Sequence, residues 1–283
     1  MNPVKPLRSS GFHLKPLKLL QFFLLLGVAI FMLTPLIVVV LVSFSQSAVF
    51  NLPSANWFDP DFSQWSLKWY RSMLNRKELM STFFLSIFVA VTATLVSLVL
   101  GTLCAYALDR GTFRGRDALL AFLVSPLMMP GLVLGVAMLQ AFRAIGLYEV
   151  SIALIIGHIV ITLPYITRTV HASLNLFDMG LIEAAQTLGI AKYQAILKVM
   201  VPALSPAFLT SGLFSFLASM DNYPISIFLT TAREKTLPVE ILKLLEESPD
   251  PTIAAISTCL IFLSILTLYI AQRLVGLKRL VQF

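Results

Sequence analysis

Six stretches of this chain are apolar for long enough to cross a lipid bilayer: residues 19–42, 81–108, 118–142, 151–167, 203–230 and 252–271. A hydrocarbon core of about 30 Å needs roughly 20 helical residues. Lipid offers no hydrogen-bond partners, so each stretch must satisfy its own backbone groups as an α-helix, and no ten-residue alternation announces a barrel. The expected fold class is an all-α polytopic membrane protein with six transmembrane helices. The fourth stretch is the shortest and leans on Leu163, Pro164 and Tyr165 to reach the interface. Composition agrees: 58% of residues are hydrophobic, 12% charged, and the mean hydropathy is +0.87. A soluble domain is about half apolar and about a quarter charged, because its exterior must be wetted. A water-soluble enzyme is excluded on that ground. Cys104 and Cys259 both lie in apolar runs and report nothing about redox compartment.

Charge sets the expected orientation. Lys5, Arg8, Lys15 and Lys18 precede the first stretch, whose apolar run exceeds the about 7–15 residues of a secretory signal. An uncleaved first helix with a cytoplasmic N-terminus follows. Of the Lys and Arg residues, 13 fall in segments 1–18, 109–117, 168–202 and 272–283, against 8 in segments 43–80, 143–150 and 231–251. The first group is expected inside, with the turn carrying Arg110, Arg114 and Arg116 as its strongest vote. The net charge of +7 is thus an orientation signal rather than a nucleic-acid footprint. The chain reads as a cytoplasmic segment 1–18, a membrane domain 19–271 with a cytoplasmic loop 168–202, and a cytoplasmic tail 272–283. Trp57, Trp65, Trp69 and Tyr70 in the first outer loop suit the interface. Glu240, Glu246, Glu247 and Asp250 make the outer face acidic, either as a solvated loop or as a mild attractor of cations or a basic partner.

The loop 168–202 is more than a connector. Asp178 is a good N-cap for a short helix, and Leu181, Ile182, Ala185 and Leu188 recur at helical spacing on one face. Gly189 supplies a stop where positive φ is cheap. A second amphipathic stretch runs from Ala191 to Val201, and Pro202 with Pro206 reopens the next span. Ala184 and Ala185 permit close approach by another surface. An amphipathic helix in a groove is a recurrent docking mode; the alternative is a helix resting on lipid. Lipid-lying helices usually carry many basic residues, and none occurs between Asp178 and Leu188.

Glu183-Ala184-Ala185, three residues, Gly189, nine residues, then Val199, Val201 and Pro202 resembles the EAA loop of ABC importer permeases. Val stands where that pattern usually has Ile and Leu. Together with the six-stretch layout, the chain resembles the type I, MetI-like permease family over most of its length. The resemblance implies two permease subunits over two ATP-binding subunits, fed by an extracytoplasmic binding protein in a bacterial-type inner membrane. The helix from Asp178 to Leu188 would couple to the ATPase, with Glu183 in contact and Gly189 allowing the turn. No GxxxxGK[ST] loop occurs, so ATP-Mg belongs to a partner chain and this subunit is expected to bind no cofactor and catalyse nothing itself. Ser66-Leu67-Lys68-Trp69-Tyr70, Ser219-Met220-Asp221-Asn222 and Thr236-Leu237-Pro238 look like spermidine/putrescine-type permeases, although Met220 replaces their usual Phe. That likeness implies a polyamine or related small solute as cargo and a second permease of different sequence.

Pro130, Asp221, Asn222 and Tyr223 are the candidates for the substrate path. Pro126 and Pro130-Gly131 interrupt the third stretch, and Gly131 with Gly135 gives a GxxxG spacing. That pattern serves either a kinked gating helix or routine packing. Asp221 is an intramembrane carboxylate, which by default faces a bundle interior or watery cavity; the alternative places it near the outer helix end, bonded to backbone. His158 is either a satisfied interior histidine or a substrate ligand. A gradient-driven secondary transporter or channel subunit is the competing class, but it needs no docking element and no internal repeat is visible. His13, His158 and His171 are scattered and assemble no catalytic arrangement.

Overall fold

A computed structural model of the chain describes residues 14–47, 65–247 and 249–280. Lys5, Arg8, Trp57 and the last three residues of the expected tail lie outside the described residues. Two compact units are drawn respectively from Met1–Arg71 with Asp250–Thr258, and from Ser72–Pro249 with Cys259–Phe283.

The helices are α1 (Leu14–Ser43), α2 (Lys68–Asn75), α3 (Lys77–Arg110), α4 (Arg116–Val124), α5 (Gly131–Ala144), α6 (Val150–Asn175), α7 (Gly180–Thr187), α8 (Lys192–Ala203), α9 (Ser205–Met220), α10 (Tyr223–Leu229), α11 (Leu237–Glu247) and α12 (Thr252–Leu280). Among the described residues, four helices are long and apolar enough to span a membrane singly, and two bent pairs raise the number to six.

In the first unit, α1 is apolar all round and almost wholly bare, with Leu25 and Phe31 more than two-thirds exposed. A soluble protein does not display such a surface; lipid is its natural solvent. The chain after α1 is tied down by aromatic packing. Trp69 donates its Nε1–H to the Ser45 carbonyl at 2.7 Å, Phe44 packs on Trp65 and Tyr70, and the Tyr70 and Ser43 hydroxyls meet at 2.7 Å. Trp69 is therefore a buried tie rather than the interfacial ring expected of it.

The second unit is built on α3 and α6. On α3, Thr82, Ser86, Ala90, Ala93, Ser97 and Ala105 fall on the buried face, while Phe84, Phe88, Leu95 and Val99 point outward. Small residues inside and large apolar ones outside is the pattern of helices packing in lipid, where close backbone approach replaces hydrophobic exclusion as the driving force. Gly101 shows how close: a Cβ there would stand 2.8 Å from Ile166 Cγ2 of α6.

Three expected spans differ from single straight helices. The third splits into α4, a 3₁₀ turn at Ser125–Met128, and α5, bent by 110°. Pro126 and Pro130 cannot donate, and Pro130 takes extended backbone (ψ 125°) that ends any helix. The fifth breaks at Leu204, with a bend of 63°, and again at Asp221–Asn222. The fourth is longer than its apolar run, because α6 carries Pro164 within it and continues to Asn175. The expected loop 168–202 thus begins inside a helix.

Candidate functional site

The segment following α6 forms a compact knob. The Asp178 carboxylate accepts the Gly180 N–H at 2.8 Å, satisfying one of the free donors at the start of α7. The helix begins at Gly180, so Asp178 caps from two residues upstream rather than from the adjoining position. At the other end Gly189 has φ +84°, its N–H bonds the Gln186 carbonyl at 2.9 Å, and the Ile190 N–H bonds the Ala185 carbonyl at 3.1 Å. This pair of bonds is a Schellman closure, which a Cβ at Gly189 would strain. α8 then carries a π-helical turn at Ile196–Met200, just before Pro202. The widened turn makes room for a proline ring that would otherwise press on a carbonyl one turn back.

The faces of α7 are not as the spacing predicts. Ile182 and Ala185 are buried in a cluster with Ala105 of α3, Val170 and Leu174 of α6, and Ala195 and Met200 of α8. Leu181 is 50% exposed and Leu188 81% exposed, so they lie off that face. At about 100° per residue Ala185 stands about 60° from Ile182 on one side and about 40° from Leu181 on the other, so the bundle covers only the Ile182 edge of this apolar arc and leaves the Leu181 and Leu188 edge bare. Glu183 and Ala184 are exposed as well, and Glu183 sits in the first turn, where the helix dipole favours an anion. One side of α7 is welded to the bundle, and the other offers Leu181, Glu183, Ala184 and Leu188 outward.

The substrate-path candidates come together at the second break. α9 ends at Met220, and exposed Asp221 follows as its C-cap. Asn222 caps α10, its Oδ1 accepting the Ile225 N–H at 3.1 Å, and Pro224 sits in the first turn where no donor is needed. α5 packs directly against α10: a Cβ on Gly131 would stand 2.8 Å from Pro224 Cβ, and one on Gly135 would stand 2.8 Å from the Pro224 carbonyl. The GxxxG spacing after Pro130 is thus a packing face, and it sets Gly131 and Gly135 against Pro224 at the start of α10. His158 of α6 is buried and satisfied, with Nδ1 2.6 Å from Ser219 Oγ and Nε2 3.1 Å from Ser226 Oγ.

Comparison with known proteins decides the family. The model of the binding-protein-dependent transport system inner membrane component matches residues 97–279. The chain belongs to that family. It is 31% identical over 207 residues to the spermidine/putrescine transport system permease protein PotC of Haemophilus influenzae, covering 73% of this chain and 80% of that one. It is 28% identical over 259 residues to PotC of Escherichia coli, covering 92% and 94%. Among solved structures, a bacterial ABC transporter that imports the acidic polysaccharide alginate superposes with TM-score 0.66 at 21% identity over 96% of this chain and 99% of that one. The MetNI methionine ABC transporter superposes with TM-score 0.53 at 20% identity, covering 71% and 97%. The first of these structures extends the likeness in fold to 96% of the chain.

Two features of this permease fold escaped the sequence. Ser97 and Thr162 meet at 2.7 Å, and Ser215 donates to the Thr162 carbonyl at 3.4 Å, making a buried hydroxyl ladder between α3, α6 and α9. Its only trace is Ser and Thr recurring on small-residue faces. The other lies at the Glu78 end of α3. Glu240 of α11 is 2% exposed, not part of a solvated loop, and its Oε2 accepts from Lys235 Nζ at 2.9 Å. Lys235 also reaches Glu78 at 3.1 Å, and Lys243 lies 3.6 Å from Glu78. Burial works against the Lys235 ammonium, yet its hydrogen bonds to Glu240 and Glu78 hold its pKa above the ordinary lysine value.

Proposed function

We infer that this chain is the permease subunit of an ATP-binding-cassette importer, forming the translocation pathway and receiving its energy from a separate ATPase through α7. The observation that carries this reading is the two-sidedness of α7. Ile182 and Ala185 are buried in an apolar cluster shared with α8, α6 and α3, α8 being the helix packed most directly on α7, while Leu181, Glu183, Ala184 and Leu188 remain bare. A groove on a partner ATPase that grips the bare side moves the anchored side with it. ATP binding then closes two ATPase subunits, and the docked helices pass that motion to the spans, alternating access from one side to the other. The subunit works in a bacterial inner membrane with both termini in the cytoplasm. It pairs with a second permease of different sequence and receives cargo from an extracytoplasmic binding protein.

The cargo we assign is a polyamine. Support comes from the relatives named spermidine/putrescine permeases and from Asp221, an exposed carboxylate at the α9–α10 break. A carboxylate there offsets part of the desolvation of a cationic solute. Purification of the tagged chain with its associated subunits tests the coupling. Glu183→Lys and Gly189→Pro each abolish cargo-stimulated ATP turnover while the chain stays in the membrane. Normal spermidine uptake by both variants at equal expression refutes the role of α7.

A further inference from the structure

The contacts around His158 have a direction, and that direction can be read from donors and acceptors alone. Ser226 has one hydroxyl proton, and it is given to the Asn222 carbonyl at 2.5 Å. Its oxygen can then only accept from His158 Nε2, 3.1 Å away, so Nε2 carries a proton. Nδ1 is left as the acceptor, and the buried Ser219 hydroxyl donates to it at 2.6 Å. On the same helix, Thr162 Oγ1 donates to the His158 backbone carbonyl at 2.8 Å. Thr162 has spent its proton there, so Ser97 must donate to Thr162 at 2.7 Å. The result is a one-way chain from Ser219 through the ring to Ser226 and on to the Asn222 carbonyl.

That chain joins both sides of one break. Ser219 lies in the last turn of α9 and Ser226 in α10, with Asp221 and Asn222 between them. Histidine suits the position because its two ring nitrogens can accept at one end and donate at the other, about 2 Å apart and rigidly opposed. An aliphatic side chain of the same bulk would leave the buried Ser219 hydroxyl without this acceptor and the Ser226 oxygen without this donor, Ser226 keeping only its bond to the Asn222 carbonyl, which is costly in a dry interior.

We propose that His158, protonated at Nε2, is a positioning residue that sets the geometry of the Asp221–Asn222 break by holding the Ser226 hydroxyl on the Asn222 carbonyl. It touches no cargo; it fixes the turn from which Asp221 is presented. The functional half of this inference rests on the reading of that break as part of the cargo path, whereas the structural half does not.

Four variants of the assembled transporter separate the two halves: His158→Gln, His158→Asn, His158→Phe and Ser226→Ala. A glutamine amide can place its NH₂ near the Nε2 position, while asparagine reaches only the Nδ1 side. Hydrogen exchange is read at residues 221–226, alongside the half-saturation concentration and maximal rate of spermidine uptake. His158→Asn, His158→Phe and Ser226→Ala speed exchange by about tenfold, the scale of one buried hydrogen bond, and raise the half-saturation concentration more than they lower the maximal rate. His158→Gln stays within about twofold of the native protein in exchange and uptake. Equal behaviour of the Gln and Asn variants, or native exchange in the Phe variant, overturns the proposal. Should the native transporter fail to take up spermidine while the exchange pattern holds, the cargo assignment falls and the positioning role stands.

Discussion

The two ends of α3 are finished in opposite ways. At the Glu78 end, charge is drawn inward: Glu240 is buried against Lys235, and Glu78 and Lys243 close the cluster around them. At the Arg110 end one nearly buried carboxylate, Asp109, pairs with Arg110 at 2.7 Å, but the element seated there, α7, is anchored by apolar contact. Ile182 and Ala185 sit among Ala105, Val170 and Leu174, while the outer side of α7 keeps Leu181 and Leu188 bare. One end has met its own needs within the chain. The other is equally well anchored but leaves an apolar flank uncovered, which is what a surface reserved for a partner looks like. On the coupling role proposed for α7, anchoring and docking fall to different residues of the same two-turn helix.

The largest effect is expected where charge is buried. Glu240→Ala leaves the Lys235 ammonium with only exposed Glu78 as partner, and loss of one member of a buried pair costs about 3–5 kcal/mol. The purified complex should melt markedly lower, whereas the double variant Lys235→Met with Glu240→Leu should lie near the native value. A melting temperature unmoved by Glu240→Ala breaks the contrast between the ends.

Next comes the apolar anchor. Ile182→Ala removes a buried side chain and should cost about 2–4 kcal/mol locally, read as faster proteolysis within residues 176–204. Leu188→Ala, by contrast, should leave that proteolysis unchanged within about 0.5 kcal/mol, yet weaken recovery of the ATPase on purification. Identical behaviour of the two variants in both assays erases the division between an anchoring and a docking side. Smallest of all is Asp221→Asn at the α9–α10 break. Removing an exposed charge near a cation should weaken spermidine uptake about fivefold, the scale of about 1 kcal/mol at short range in water. Unchanged half-saturation removes Asp221 from the path.

Much of this was legible in the sequence because the bilayer leaves few choices. Apolar runs of about 20 residues had to become helices, and Gly189 announced the end of α7 because its conformation is cheap for glycine alone. The helix breaks were only half visible. Pro130 signalled an interruption but not a 110° bend, and the helix-start signal of Asn222 with Pro224 was masked by the apolar run that continues through it. Helical spacing grouped Leu181 and Leu188 with Ile182, since periodicity marks apolar residues without saying which of two neighbours will cover them. Glu240 looked solvated although its partner Lys235 is only five positions away, because that pair is held against Glu78, 157 positions from Lys235, a separation no local pattern can report.

The central claim is that the bare side of α7 seats against an ATPase. A photo-crosslinking amino acid placed at Leu188 in the intact membrane measures this directly. Illumination should join this chain to a polypeptide carrying a phosphate-binding loop, with the yield falling when Glu183 is replaced by Lys. Crosslinks confined to lipid, or to a polypeptide without ATPase activity, would contradict the account.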